Sequence, residues 1–584
     1  MKTTIILCIS IFLWIGYCPA QDITGLRYPA DPALQQHAEI PKGEVLEFKF
    51  NSSTIFPGTE RTYWIYIPAE YKPDKPACLF VDMDGVQYHA PQVFDYLIYK
   101  GEMPVTIGVF IGSGTITKNG KDVRYNRSHE FDSMNDDFVN FLLTGLLPDA
   151  EKQKATDGRQ IEFSKDANDH AITGASSGAI CAFTAAWQRP DVFNRVFSSI
   201  GTYVGMRGGD QYPVLVRKTE PKPIRIYLQD NASDAWNPLF GSWYTSNLNM
   251  EAALSFSGYE VTHTWSSGGH STENADAIFP DAMRWLWKGW PEKVPAGKSN
   301  NNMLSAILAD GEGWNEVKET FQPAKLLASA PMGSVLLQDI NGTTYLKTNS
   351  TETALKGLDK TDEVAYGLDG KLYVLNHKSK QLVIISSNGK RTILVKNITG
   401  KKLIVTNQGN VYIVAPATND EGTGEIILIK PNGSKTIVDT GLRFASAITV
   451  SPDRNMLLVA ENNTNWIYNY VIQDDGTLKD KQKWYWLHQT DNDDYSRTND
   501  IAIDNKGNLY AATNAGIQVC DQNGRVRAIL QPPGSGTITA FCFGGENYDT
   551  LFVIRNGKLY KRKLKVNGVP AWAEPVYPES IGAG

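Results

Sequence analysis

The sequence predicts two bodies in series: an α/β body on a mostly parallel sheet, then an all-β, six-bladed propeller. Three observations carry this. Across the first 290 residues, short apolar runs alternate with stretches of helical periodicity, the pattern of a parallel sheet covered on both faces. One of those runs leads into Gly174-Ala175-Ser176-Ser177-Gly178, a G-x-S-x-G motif between a strand and a helix. Beyond residue 311, a turn followed by Leu-Tyr-Val-like strand residues recurs about every 40–50 residues, the length of one propeller blade.

Bulk properties bound the rest. At 584 residues the chain exceeds one domain, and 42% hydrophobic with 21% charged residues is an ordinary globular composition. A net charge of -6 with scattered basic residues argues against a nucleic-acid partner. Residues 1–20 read as an export signal: Lys2 is followed by an apolar core too short to span a bilayer, and Cys18-Pro19-Ala20 precedes a cut at Gln21. Cys18 offers lipidation as the alternative, although Tyr17 before it suits that poorly. The expected product is exported, periplasmic or at the cell surface, without a membrane span. The other four cysteines, Cys78, Cys181, Cys520 and Cys542, lie in apolar runs without C-x-x-C spacing. That disfavours zinc and reads as buried thiols, with a disulfide as the alternative.

Taken in order, 21–290 is the α/β domain. Residues 45–50 and 61–67 alternate apolar with polar, as antiparallel strands at a sheet edge do. Residues 77–81 and 105–111 are continuous apolar runs, as in central strands, and 136–147 has helical periodicity. After the G-x-S-x-G motif come an Ala-rich helix over 179–188, strands at 196–200, 224–228 and 260–265, and a closing helix over 274–290.

Bare G-x-S-x-G motifs occur by chance in long chains, so context decides. A Ser held between strand and helix by small neighbours is the nucleophile elbow of an α/β-hydrolase, with its Oγ projected above the sheet. Such a Ser needs a base and a group to orient that base, in the chain order Ser, acid, His. Among 8 His, His270 stands out in Ser266-Ser267-Gly268-Gly269-His270, after a strand and before the last helix. Two carboxylates follow strand 224–228: Asp234, preferred as the orienting acid, and Asp230 in reserve, since its closeness to the strand end suits loop shaping. The N–H of Ser177 sits at a helix start, where an oxyanion is favoured. The second donor is expected from the loop after strand 77–81, at Asp84 or Gly85.

Arg127-Ser128-His129-Glu130-Phe131-Asp132, the elbow, Leu228-Gln229-Asp230 and the Gly-Gly-His loop together resemble the esterase D/enterochelin-esterase family of α/β-hydrolases, over roughly residues 40–290. In that family the Arg-x-x-Glu segment borders the site. Arg127 and Glu130 are expected either to pair with each other and shape the cleft or to touch substrate.

Residues 291–310, with Pro, Gly, Lys, Ser and consecutive Asn, read as a linker, and 311–584 as the propeller. Its repeats begin at Gly333, Gly370, Gly409, Asp453, Gly507 and Tyr548, hence six blades. With Phe543-Gly544-Gly545 this half resembles the SMP-30/gluconolactonase family, which holds a divalent cation on its axis. The places of that family's ligands align with Lys325, Lys401, Ser446 and Asn499. A hard cation needs oxygen ligands, so no metal and no other cofactor is expected, and the propeller is read as structural or glycan-binding. Lys325 and Lys401 are either contacts for an acidic sugar or solvated surface lysines.

A hydrolase fused to such a propeller is similar to the α/β-hydrolase-type pectin methylesterases of gut bacteria. The resemblance implies a pectic oligosaccharide or other esterified glycan as partner and methyl-esterified galacturonic acid as substrate. Acetyl or feruloyl esters remain the alternative, as does a lactonase or glycan-binding protein that uses the propeller. Arg207, in the loop after strand 196–200, is placed to meet a uronate carboxylate. Trp236, Trp243 and Trp265 surround the acid and base loops and either stack on sugar rings or belong to the core.

Overall fold

The computed structural model describes residues 30–580 except 320, 349–351, 356, 418–422 and 535. The expected export signal, 1–20, lies outside the described residues. The first body is an eight-stranded sheet of β1 (Glu44–Phe50), β2 (Arg61–Ile67), β3 (Cys78–Met83), β4 (Thr106–Ile111), β5 (His170–Ala175), β6 (Arg195–Ser199), β7 (Arg225–Asn231) and β8 (Glu260–Ser266). Their spatial order is β1-β2-β4-β3-β5-β6-β7-β8. The first two strands pair antiparallel and every pair from β4 to β8 is parallel.

Period-two alternation explains how both faces are buried. Val81, Ile172, Val196 and Ile226 point to one side, against α3 (Ser177–Gln188). Their neighbours Phe80, Ala171, Phe197 and Tyr227 point to the other, against α1 (Ala90–Tyr99) and α5 (Glu273–Leu286). Small residues let α3 sink deep: every residue from Ser177 to Trp187 is buried. The segment expected as one helix over 136–147 instead passes from Asp137–Phe141 through a π turn at Leu142–Leu146 before Leu147–Ala150.

The second body is a ring of six four-stranded antiparallel sheets. Their innermost strands are β9 (Pro323–Ser329), β10 (Glu363–Tyr366), β11 (Lys402–Val405), β12 (Ala445–Val450), β13 (Asp500–Ile503) and β14 (Ile538–Gly544). Asn315–Val317, from the start of the ring, is the outer strand of the sheet that contains β14, so the first and last segments close the circle together. The stretch read as a linker is tied to both bodies. The Asn301 side chain caps the helix Asn302–Ile307 and donates to Arg217 O at 2.9 Å in the first body and Arg527 O at 2.8 Å in the second. Cys78, Cys181, Cys520 and Cys542 are buried free thiols. No described helix is long and apolar enough to cross a membrane.

Candidate active site

β5 runs straight into Ser176, which sits at φ 58°, ψ -118° immediately before α3. Positive φ on a non-glycine residue is strained and is held here by its surroundings. Ser176 N–H donates to Ser199 O at 2.9 Å, and its own carbonyl accepts from Ala179 and Thr202 N–H groups. Gly174 is required for close approach, not for its backbone angles. A Cβ there would lie 2.4 Å from the Gly178 carbonyl carbon and 2.5 Å from its oxygen.

The structure brings three distant side chains together. His270 Nε2 lies 3.0 Å from Ser176 Oγ, and His270 Nδ1 lies 2.5 Å from Asp234 Oδ1. A carboxylate only accepts, which puts the imidazole proton on Nδ1 and leaves Nε2 to accept from the serine hydroxyl. Burial alone would raise Asp234, but hydrogen bonds from His270, Asp230 and the Ala235 N–H hold it below the usual carboxylate range. Asp230, the reserve acid, does not face the imidazole. It is fully buried behind Asp234, accepting from Asn231 N–H at 2.6 Å and Asn247 Nδ2 at 2.8 Å.

The oxyanion side is narrower than the sequence suggests. Ser177 opens α3, so its N–H points out of the helix start. Of the pair nominated opposite, Gly85 N–H is engaged by Ile111 O at 3.3 Å, which leaves Asp84 as the candidate donor. The Asp84 carboxylate is clamped by Arg127 through two hydrogen bonds of 2.8 and 2.7 Å.

Arg127 and Glu130 therefore do not pair with each other. Glu130 points inward, where both its oxygens bind the Arg61 guanidinium at 2.7 and 2.9 Å with neither side chain exposed. One turn of helix, α2 (Arg127–Phe131), separates their directions. Arg207 is 36% exposed at the rim and lies 3.5 Å from Asp491 of the propeller. That same propeller carboxylate accepts Met134 N–H at 3.2 Å, while Asn492 binds Asn135 at 2.6 Å. The connection before β13 thus forms part of the rim, a contact between residues more than 280 positions apart that no local signal announces.

The three tryptophans divide. Trp236 is 71% exposed on the short hairpin after Asp234, with Leu239 at its tip 82% exposed. Trp243 is buried and its indole N–H donates to Thr202 Oγ1 at 3.1 Å, so it shapes the wall and offers no free face. Trp265 is taken by stacking on His263 at 4.6 Å and by the edge of Tyr244. Thr202, which sequence reading passed over, places Oγ1 3.2 Å from Ser176 Oγ. Its position just past the carboxyl end of β6 was the available signal.

The cavity between the innermost strands of the propeller is lined by Lys402, not by Lys401, which is exposed. Lys402 Nζ is 3.6 Å from Asp500, and Lys325 is ion-paired with Glu363. Ser446 donates to Thr498 O at 2.7 Å, and Asn499 Oδ1 accepts from Asn462 at 3.0 Å. Ammonium groups and oxygens already engaged within the protein do not suit a divalent cation.

Two family models match parts of this chain. The family described as "Putative esterase" matches residues 53–340, and the SMP-30/Gluconolactonase/LRE-like region matches residues 329–555. A gluconolactonase of Zymomonas mobilis subsp. mobilis is 22% identical over 223 residues, 35% of this chain and 62% of its own length. The chain therefore spans less than two thirds of that relative. Among solved structures, the enterobactin esterase of Shigella flexneri is 22% identical with a TM-score of 0.33, over 44% of this chain and 63% of its own. A ferulic acid esterase is 15% identical with a TM-score of 0.34, over 42% and 99%. A gluconolactonase of Xanthomonas campestris is 19% identical with a TM-score of 0.38, over 45% and 93%. The chain is a fusion of an esterase-family α/β domain with an SMP-30/gluconolactonase-like six-bladed propeller.

Proposed function

We propose that the protein is an exported serine carbohydrate esterase that removes methyl esters from galacturonic acid in pectic oligosaccharides. One observation carries the reading: Ser176 Oγ, His270 and Asp234 stand in line at 3.0 and 2.5 Å, with the serine at the mouth of a helix. His270 Nε2 takes the hydroxyl proton as Ser176 Oγ adds to the ester carbonyl. Asp234 holds the ring and stabilises the imidazolium. The N–H groups of Ser177 and Asp84 meet the oxyanion, each such donor lowering the barrier by about 3 kcal/mol. His270 then protonates the departing alcohol, and water, deprotonated by the same imidazole, releases the acid.

The half-exposed Arg207 supports an acidic sugar beside the ester, and the exposed Trp236 supports a ring-bearing substrate. The propeller serves this reading as a neighbour that completes the rim through Asp491, and it supplies no metal chemistry. The test is Ser176→Ala with wild type as control, assayed on a panel of methyl, acetyl and feruloyl glycan esters. Methanol release from methyl-esterified oligogalacturonides by wild type alone is the expected result. A folded Ser176→Ala protein with full activity would refute the site. Activity confined to acetyl or feruloyl esters would keep the serine and replace the substrate.

A further inference from the structure

Asp234 Oδ1 accepts two hydrogen bonds, from His270 Nδ1 and from the Ala235 N–H, each 2.5 Å long. Its other oxygen, Oδ2, is buried, and no N–H or hydroxyl among the described residues donates to it. A bare carboxylate oxygen away from water is costly, so its partner matters. The ionisable group that acts on Asp234 besides His270 is the carboxyl of Asp230, four residues back in the chain and likewise buried. Two carboxylates cannot hydrogen-bond to each other; one of them must carry the proton.

The surroundings decide which. Asp230 is fully buried at the end of β7. Asn247 and Tyr244 face it from α4 (Trp243–Phe256), and Trp265 is its pairing partner on β8. From the loop after β6, the Gly201 carbonyl accepts from the same Asn247 amide. None of these is a cation, whereas Asp234 has the imidazole. We infer that Asp230 is a positioning residue that keeps its proton and donates it to Asp234 Oδ2, locking the plane of the carboxylate that orients His270. Burial, reinforced by the hydrogen bond and charge of Asp234, pushes Asp230 up to about 9, so it stays neutral through the working range. When Asp230 ionises, the donor is lost and a second negative charge appears behind Asp234.

This rests on the serine-esterase reading, and the experiment separates the two. A fluorophosphonate probe reports nucleophilicity of Ser176 without any choice of substrate. Its rate of labelling is followed against pH in full-length wild type, Asp230→Asn and Asp230→Ala, with near-ultraviolet circular dichroism to verify folding. Wild type should label fast at neutral pH and fall off above about pH 9. Asp230→Asn keeps a donor that cannot ionise. It should stay within about threefold of wild type and lose the alkaline fall. Asp230→Ala should label at least about tenfold more slowly. An unchanged alkaline limb in Asp230→Asn, or equal rates for the Asn and Ala variants, overturns the inference alone. Absence of Ser176 labelling in wild type overturns the esterase reading and this inference with it.

Discussion

Gly174→Ala puts the elbow itself to the test. A Cβ at residue 174 would stand 2.4 Å from the Gly178 carbonyl carbon, 2.5 Å from its oxygen and 2.8 Å from its Cα. These are backbone atoms at the start of α3, so no side chain can swing aside. Relief needs the strand end and the helix start to part by about 1 Å, the scale of displacement that costs about 10²-fold in rate when a reacting group is misplaced. That factor is about 2.7 kcal/mol of barrier. The stability cost should be smaller, about 1–3 kcal/mol, as for other overpacked sites. Gly178→Ala is the internal comparison, since its Cβ would meet only Met83 Cβ at 3.2 Å and Asp84 Oδ2 at 3.4 Å. Labelling of Ser176 by a fluorophosphonate, kcat/KM on an ester substrate and the thermal midpoint should be measured for both. The expected order is wild type, then Gly178→Ala, then Gly174→Ala, with rate falling more than stability. A Gly174→Ala enzyme within about threefold of wild type would show that the serine is not positioned by this contact.

Three further outcomes follow from the same contacts. Glu130→Ala strands the Arg61 guanidinium in the core, and urea denaturation should report a loss of about 3–5 kcal/mol; a loss below about 1 kcal/mol would mean that the cation finds another partner. Between the unfolded carboxylate value near ~4 and about 9, native Asp230 binds a proton that the unfolded chain does not, so stability falls as pH rises, by at most about 1.4 kcal/mol per unit. Asp230→Asn removes that slope, and parallel wild-type and variant curves from denaturation at several pH values would contradict it. Prolonged chelation should leave both ester hydrolysis and the thermal midpoint unchanged, since Lys402 and Lys325 supply the positive charge on the propeller axis; a drop in either would point to a bound cation.

Much of the architecture was legible because it rests on short-range rules. The continuous apolar runs at β3, β4 and β5 follow from burial on both faces, and the alternating pattern of β1 follows from a sheet edge with one face in solvent. The six repeats were visible because each blade must supply its own turn and inner strands. Ring closure by Asn315–Val317 was not visible, since pairing with Lys558–Lys563 joins the two ends of the propeller and nothing in three residues specifies it.

The same division governs the site. Ser176 and His270 were readable because their glycine-flanked loops carry a local signature. Partners were not. Arg127 and Glu130 lie on one helical turn, which suggests a pair, yet the fold offers each a better-placed opposite charge: Asp84 at the oxyanion loop for one, buried Arg61 for the other. Trp243 and Trp236 are equally aromatic and seven residues apart. Only the packing of α4 against Thr202 makes one a wall and leaves the other open. Asp230 and Asp234 are chemically identical acids four residues apart, and sequence can rank them only by distance from the strand end. What separates them is the imidazole of His270, which stabilises one negative charge and not two. The pair then resolves into an ion and an acid, so the nearer carboxyl is neither a spare nor a loop cap but the donor that the farther one requires.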